Sequence, residues 1–366
     1  MLEYHARLIA DDRRNEAFRA AIAATVRPGD VVVDVGTGTG LLALYAVQAG
    51  AGRVYAVERG EVADLAERVI AANGAADRVV LVRGDSSEIE LPEPADVLIS
   101  ELLWAAGLGE GQLSIVQDAR RRLLRSSARV VPCALRLVVA PVGGVRARRQ
   151  LARWGDRSGV DLGAVRAVAA NVPGPAPIDP AELVARPVEL PDIPLTGVPP
   201  ADIRGGGRVR AERTAEIDGL AVWFDAELAP GVRLSNPPGA DLHWMQAQLP
   251  FERPLHVAED DELELSLDVL ADGDVWRWRI RSSDDERSQS SFQADLRTVA
   301  DLRTTSPRRA PRPTEAMAAE RFLLDRIDGT RTAAELAAEL RARFGDVLRS
   351  DAHARRFVAA ALARLT

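Results

Sequence analysis

The segment Val31-Val32-Val33-Asp34-Val35 followed by Gly36-Thr37-Gly38-Thr39-Gly40 constrains this chain more than any other. A short apolar run bounded by glycines reads as a buried strand, and the glycines supply a turn that L side chains resist. LLALYAVQAG continues as a helix that ends at Gly50. The unit then recurs. RVYAVE (53–58) reads as a second strand, VADLAERVIAANG as a second helix closed by Gly74, RVVLVRGD (78–85) as a third strand and ADVLISE (95–101) as a fourth. A helical stretch over residues 1–30, with Leu8, Ile9, Phe18, Ala21 and Ile22 at helix spacing, precedes them. Strands alternating with helices predict an α/β, Rossmann-like, doubly wound parallel sheet over residues 1–130.

The texture changes after that. VVPCALRLVVAPV (130–142) is strand-like, 145–170 is arginine-rich with a helical pattern, and Pro173, Pro175, Pro177 and Pro180 follow. LAVWFDAEL, HWMQAQLPF, ELELSLDVL and VWRWRI are short alternating or apolar runs separated by Gly, Pro and Asp. They predict an antiparallel barrel or sandwich, taken here as β-barrel-like over 131–300 with a helical arm inserted at about 145–180. TSPRRAPRP (305–313) has linker composition. Beyond it, RFLLDRIDGTRTAAELAAELRARFGD and the last fifteen residues predict three short helices, so 301–366 reads as a linker plus a small helical module.

Composition excludes several chemistries. One cysteine, Cys133, leaves no intramolecular disulfide and no Cys-built zinc site, the four histidines are scattered, and no metal site is expected. All 47 basic residues are arginine, so no lysine Schiff base and no P-loop lysine exists. A formal net charge of −7 speaks against general nucleic-acid binding. No apolar run approaches the roughly 18 residues of a membrane span, and MLEYHARLIADDRR is too polar for a secretory signal. The expectation is a cytoplasmic protein with neither nucleic-acid nor membrane partners.

The glycine spacing is GxGxG rather than the dinucleotide GxGxxG. Glu58 ends the second strand, where a carboxylate is placed to accept hydrogen bonds from ribose hydroxyls. Asp85 and Ser86 follow the third strand, where a carboxylate and a backbone N–H are placed to read an adenine edge. Together these features resemble the S-adenosylmethionine site of class I methyltransferases. The resemblance implies cofactor binding by Asp34, Gly36, Gly38, Gly40, Glu58, Asp85 and Ser86.

After the fourth strand comes Ser100-Glu101-Leu-Leu-Trp104-Ala-Ala-Gly107-Leu-Gly109-Glu110. This strand edge faces the ligand crevice of a doubly wound sheet. The segment resembles the double-glutamate loop, SEWMGYxxxxES, of the protein arginine methyltransferases. His5 and Arg14 match that family's HxxMLxDxxR helix, and Leu242-His243-Trp244 after LSNPPGAD resembles its THW loop. The resemblance covers about residues 4–290. It implies that Arg14 clamps the cofactor's carboxylate, that Glu101, Glu110 and His243 are catalytic, and that Trp104 and Trp244 contact substrate. It also implies a homodimer formed through the arm. Leu8, Leu242 and LLWA depart from the family's Met, Thr and WMGY. The tyrosine-rich YFxxY helix has no counterpart before His5, so the usual lid is missing or replaced. His256, His353, Trp276 and Trp278 fit no site and read as structural.

A guanidinium is a poor nucleophile because its lone pairs are delocalised and it stays protonated. Two carboxylates that grip it polarise charge onto one nitrogen, and the cation offsets their mutual repulsion. A primary or secondary amine needs only deprotonation, so the same acidic pocket suits either acceptor. RFLLDRIDGTRTAAELAAEL resembles the small winged-helix, PqqD-like domains that recognise leader peptides of ribosomal peptide natural products. The apolar face Ala333, Leu336, Ala337, Leu340 carries that likeness. A generic helical cap is the alternative. The first expectation is therefore N-methylation of a peptide nitrogen, either a terminal amine as in daptide-type pathways or an arginine guanidinium, with S-adenosylhomocysteine as by-product. Methylation of a small-molecule amine and a non-catalytic binding subunit are the competing readings.

Overall fold

The computed structural model describes residues 2–144, 151–155, 159–270, 273–294 and 314–363. The chain divides into two compact units, 1–295 and 296–366.

The larger unit opens with helices α1 (Leu2–Ala10) and α2 (Asp12–Thr25). Strands β1 (Val31–Val35), β2 (Arg53–Glu58), β3 (Val79–Arg83), β4 (Ala95–Ser100) and β5 (Leu124–Val131) follow. Helices α3 (Leu41–Gln48), α4 (Ala63–Ala72) and α5 (Gln112–Arg122) lie between them in the chain. The sheet order is β3-β2-β1-β4-β5, with all four pairings parallel. All five residues of β1 are buried, as expected where helices cover both faces. Strand order reverses at β1, which opens a crevice at the carboxyl ends of β1 and β4. Register brings the motifs together there. Val35 lies beside Val57 and Ser100, so the glycine turn, Glu58 and Glu101 all leave the sheet at one edge.

From β5 the chain enters antiparallel structure. Strands β6 (Ala134–Val142), β7 (Gly174–Ala176), β8 (Val188–Glu189), β9 (Ile193–Pro194), β11 (Ala215–Ala229), β12 (Val232–Ser235) and β13 (Gln246–Val257) form one sheet around the order β7-β13-β11-β6-β8. Strands β10 (Ile203–Arg210), β14 (Glu262–Leu270), β15 (Val275–Arg281) and β16 (Glu286–Ser290) form a second. Burial alternates along β14 and β15, with Leu263, Leu265, Leu267, Trp276, Trp278 and Ile280 inward. The outward face carries cross-strand ion pairs, Arg277–Asp268 at 2.8 Å and Arg210–Glu262 at 2.5 Å among them. Trp278, 1% exposed, ties the two sheets by donating from its indole nitrogen to the Pro250 carbonyl at 3.0 Å. One hydrophobic core runs without interruption from the parallel sheet into these strands.

The inserted arm is partly described. Residues 145–150 and 156–158, where much of the arginine-rich helix was expected, lie outside the described residues, and α6 (Gly163–Ala169) is the helix seen nearby. The expected linker 305–313 also lies outside them.

Among its described residues, the second unit holds α7 (Glu315–Leu324), α8 (Ala333–Arg343) and α9 (Asp351–Leu362). Thr314, Thr332 and Ser350 cap their N-termini, and Thr332 forms a full capping box with Glu335. Leu336, Ala337 and Leu340 face a core with Leu323 and Val358, whereas Ala333 is exposed and does not share that face. No strand occurs among the described residues of this unit, so it shows helices without a wing. No helix among the described residues is long and apolar enough to cross a membrane.

Replacing Trp278 by Ala is expected to lower the unfolding free energy by about 3–5 kcal/mol, because it opens a large cavity and orphans the Pro250 carbonyl. Replacing Phe292, 67% exposed, is expected to change it by under about 0.5 kcal/mol. Urea unfolding of the two variants measures both.

Candidate active site

The turn after β1 is built on left-handed backbone. Gly36, Gly38 and Gly40 have φ of 75°, 58° and 85°. The Gly36 and Thr37 amides donate to the Val57 carbonyl, each at 3.0 Å, which pins the turn to β2. A Cβ on Gly36 would sit 2.9 Å from Leu102 Cδ2, and one on Gly38 would sit 3.3 Å from His5 Cε1. These glycines therefore let neighbouring loops close over bare backbone.

Glu58 bridges two loops. One carboxylate oxygen accepts from the Gly38 amide at 3.0 Å and the other from the Gly60 amide at 2.7 Å. Each oxygen retains a lone-pair direction for a further donor. Asp85 is spent locally. One oxygen takes the Ser87 amide at 3.0 Å and the Ser87 hydroxyl at 2.7 Å, and the other takes Arg59 at 3.0 Å. These bonds, the Ser87 amide foremost, hold its carboxyl below the usual range. Asp34 lies beneath the turn, 1% exposed, accepting from the Thr37 hydroxyl at 2.6 Å, while its second oxygen has no partner. Burial pushes its carboxyl up to about 7.

These parts surround a cavity of about 250 Å³. Arg14, Gly36, Gly38, Glu58, Asp85, Ser86, Glu101 and Glu110 line it, with Tyr4 and His5 of α1. Asp34, Gly40, Trp104, His243 and Trp244 are not among the lining residues. Asp34 supports the turn from below, and Gly40 starts α3.

At the acidic end, Arg14 does not stand apart as a free carboxylate clamp. Its guanidinium grips Glu101 through Nη2 and through Nε, the latter at 3.1 Å, and Nη1 donates to Asn15 at 2.8 Å. Arg14 is 5% exposed and the Glu101 side chain 9%. Glu110 is exposed by surface area, yet the concave wall still strips water from its carboxyl. Burial first, and the neighbouring Glu101 second, raise it above the ordinary glutamate value. Tyr4 feels the same field. Burial, then Glu110 and Glu101, push its phenol up to about 12.

His243 is tied to Asp11. Its backbone amide and ring Nδ1 both donate to one oxygen of Asp11, at 2.8 and 2.7 Å. Its ring packs 3.9 Å from that of Trp244, and Nε2 is buried without a partner. Burial holds its pKa below the ordinary histidine value despite Asp11. The side chain is 10% exposed and ties the strand preceding segment of the β half to α2, rather than facing the cavity. Asp11 also caps α2 by accepting from the Arg14 amide at 3.0 Å. Burial raises its carboxyl, but these bonds prevail and leave it below the ordinary aspartate value.

The two tryptophans expected at substrate pack against the β half and the glutamate loop. Trp244, 7% exposed, donates to the Leu103 carbonyl at 2.7 Å and packs edge-on against Phe224. Trp104 packs against Trp276, with ring centroids 6.1 Å apart. Asn236 donates to the Ala105 carbonyl at 2.8 Å, and a Cβ on Gly107 would lie 2.7 Å from Phe224 Cβ. The β half thus shapes the loop that carries the glutamates. Trp276 and Trp278 are core residues, as expected. Sequence reasoning missed Asp11, Tyr4, Gln112 and Asn236 as site-forming residues. Asp11 stands inside the very His5–Arg14 pattern, and Asn236 inside LSNPPGAD.

Comparison with known proteins places these features. Residues 136–278 match the profile of the arginine methyltransferase oligomerization subdomain, and residues 19–108 that of ribosomal protein L11 methyltransferase. An arginine N(omega)-methyltransferase of Streptomyces achromogenes is 32% identical over 275 residues, spanning 72% of this chain and 75% of that protein. Protein arginine N-methyltransferase 6 of Danio rerio is 30% identical, spanning 71% and 79%. Among solved structures, the Trypanosoma brucei PRMT1 enzyme–prozyme complex with AdoHcy is similar in fold, with a TM-score of 0.70 and 22% identity over 78% of this chain and 97% of that one. Arabidopsis thaliana protein arginine methyltransferase 10 gives 0.67 and 24% over 80% and 98%.

The buried Asp34 carboxyl gives a pH test. Its folded pKa, about 7, exceeds the ordinary value of 3.8. Its contribution to stability is therefore fully present near pH 4 and is lost as pH rises to about 7. The unfolding free energy of wild type minus that of Asp34→Asn is expected to fall across that window by on the order of 1 kcal/mol per pH unit. Urea titrations at several pH values measure it, and parallel profiles for the two proteins would refute the shift.

Proposed function

This chain belongs to the arginine N-methyltransferase family, and from that membership we propose that it moves a methyl group from S-adenosylmethionine to a guanidinium nitrogen of arginine, releasing S-adenosylhomocysteine. The observation that carries the reading is the meeting of the glycine turn, Glu58 and the Glu101–Glu110 pair in one cavity. The cofactor's chemistry is an electrophilic methyl on a sulfonium. The residues present fit it. Gly36 and Gly38 line the cavity and present backbone to it, and Glu58 keeps acceptor capacity for ribose hydroxyls. Ser86 and the backbone beside Asp85 offer donors at the far end. Arg14, beyond its bonds to Glu101 and Asn15, keeps further N–H donors for the cofactor's carboxylate.

The acids divide the work on the acceptor. Glu101, compensated by Arg14, is the standing anion that orients the guanidinium. Glu110, whose pKa is raised, is the better acceptor for the proton lost when the N–CH3 bond forms and the S–CH3 bond breaks. Holding the nitrogen on the S–CH3 axis away from water supplies most of the remaining rate. His243 is assigned to positioning, through Asp11, rather than to the proton transfer.

The acceptor is proposed to be an arginine within a peptide, delivered to the larger unit with help from the three-helix unit acting on a leader segment. A terminal amine is the other peptide nitrogen. Free arginine is the second reading, favoured because the Streptomyces relative is named for arginine rather than for protein arginine. The match to an oligomerization subdomain supports a homodimer. A cytoplasmic location is proposed with it.

Glu110→Gln is expected to cut kcat by about a hundredfold or more, with cofactor Kd within about threefold of wild type. Glu58→Ala is expected to weaken cofactor binding at least about tenfold, since hydrogen bonds to a charged group are lost. Mass spectrometry of arginine-bearing peptides, with free arginine in parallel, measures turnover, and calorimetry measures binding. Wild-type turnover in Glu110→Gln would remove the assignment. Methylation of free arginine but of no peptide would select the second reading.

A further inference from the structure

One wall of the cavity is a loop that no sheet holds. Residues 84–89 follow β3, and Gly84, Asp85 and Ser86 face the cavity. The loop's own bonds are local, with the Glu88 amide on the Asp85 carbonyl at 2.9 Å and Ser87 on the Asp85 carboxylate. Ile89, 8% exposed, anchors the loop's far end in the core, and polar attachments hold the rest. The Gly84 amide donates to the Glu58 carbonyl at 3.1 Å, Arg59 pairs with Asp85 at 3.0 Å, and a guanidinium arrives from the last turn of α5.

That guanidinium is Arg122. Nη1 donates to the Ile89 carbonyl at 2.8 Å and Nη2 to the Ser86 carbonyl at 2.6 Å. The same group is oriented by Asp118 one turn earlier, which accepts from Nε at 3.0 and 3.1 Å and also from Nη2. A planar fork thus spans two carbonyls of the loop while its own carboxylate locks its plane. An ammonium is a point charge on a flexible stem and cannot satisfy that geometry. The side chain is one-third exposed, so its bonds are shielded only in part.

The other end of the same helix serves the acidic loop. Gln112, the first residue of α5 and fully buried, accepts from the Leu102 amide at 3.2 Å, one residue past Glu101. Glu110 lies two residues before it. Helix α5 is therefore a strut between the glutamate loop and the loop carrying Ser86.

We infer that Arg122 is a positioning residue for the cofactor: it holds the Gly84–Ile89 loop as the wall against which the adenine end is bound. The inference rests on the cofactor reading above. Arg122 touches no reacting atom, so its loss acts on cofactor affinity and not on the chemical step. Arg121 is the matched control. It stands next in the chain, is 69% exposed, carries the same charge, and reaches Asp118 at 3.5 Å without touching the loop.

The test is calorimetric titration of the full-length protein with S-adenosylhomocysteine, together with steady-state kinetics in S-adenosylmethionine. Arg122→Gln is expected to raise Kd and cofactor KM about tenfold, the size of losing charged hydrogen bonds, with kcat at saturation within about threefold of wild type. Arg122→Lys is expected to fall between, and Arg121→Gln to match wild type within about twofold. A wild-type Kd for Arg122→Gln would overturn the inference. So would a fall in kcat matching the loss of affinity together with a lowered melting temperature, which marks a general structural role, or an equal effect from Arg121→Gln. Failure of the wild type itself to bind S-adenosylhomocysteine would overturn the cofactor reading, and this inference with it.

Discussion

The ion pair between Arg14 and Glu101 is the contact on which the site depends. Both side chains are nearly out of water, and a lone charge there would be costly. Neither is acceptable without the other, so α2 must lie against the loop after β4. Around the pair sit Asn15, which takes one guanidinium nitrogen, and Asp11, which takes the Arg14 amide. Asp11 in turn receives two bonds from His243, which brings in the β half. One turn of α2 thus joins three distant stretches of chain through charge compensation. Breaking a buried pair by removing one partner costs about 3–5 kcal/mol. The arrangement is therefore held much more firmly than a surface ion pair would be.

The parts legible in the sequence are those set by local physics. A five-residue apolar strand closing on glycines needs no distant partner to be recognised, and parallel pairing carries Glu58 and Glu101 to the same sheet edge by register alone. Alternation identifies β14 and β15, and the spacing of Leu336, Ala337 and Leu340 identifies α8. What escaped depends on contacts far apart in sequence. His243 lies 232 residues from Asp11, and no spacing rule predicts that the ring turns toward that carboxylate rather than toward the cavity. The same holds for Trp244, whose indole is used to hold Leu103 across 141 residues. Ala333 failed for a smaller reason. It occupies the first turn of α8, where a small side chain at the right helical angle still finds no neighbour.

Among the described residues, the β half shapes the site without contributing a group to the cavity wall. Asn236, Trp244 and Phe224 hold the backbone between Leu103 and Gly107, and Gly107 has φ of 81° with no room for a side chain. A loop of that length carrying two acids would otherwise sample many shapes, and the entropy of ordering it would fall on substrate binding. Here that cost is met in folding. Both halves accordingly share one core.

The electrostatics of the acids follow from this rigidity. Two carboxylates brought close repel, and the usual relief is for one to take a proton. Arg14 relieves one of them permanently, since a guanidinium does not deprotonate. Glu101 is thereby compensated, while the raised pKa falls on Glu110. Asp34 lies behind the turn with its carboxyl pushed to about 7, so much of its negative charge is also withheld at neutral pH. A cavity that must hold a cationic donor beside a cationic acceptor needs negative charge, but charge that is fixed in place and does not collapse onto itself. One compensated anion, one proton-accepting anion and one buried acid near neutrality meet that requirement, and the asymmetry between Glu101 and Glu110 follows from which of them Arg14 reaches.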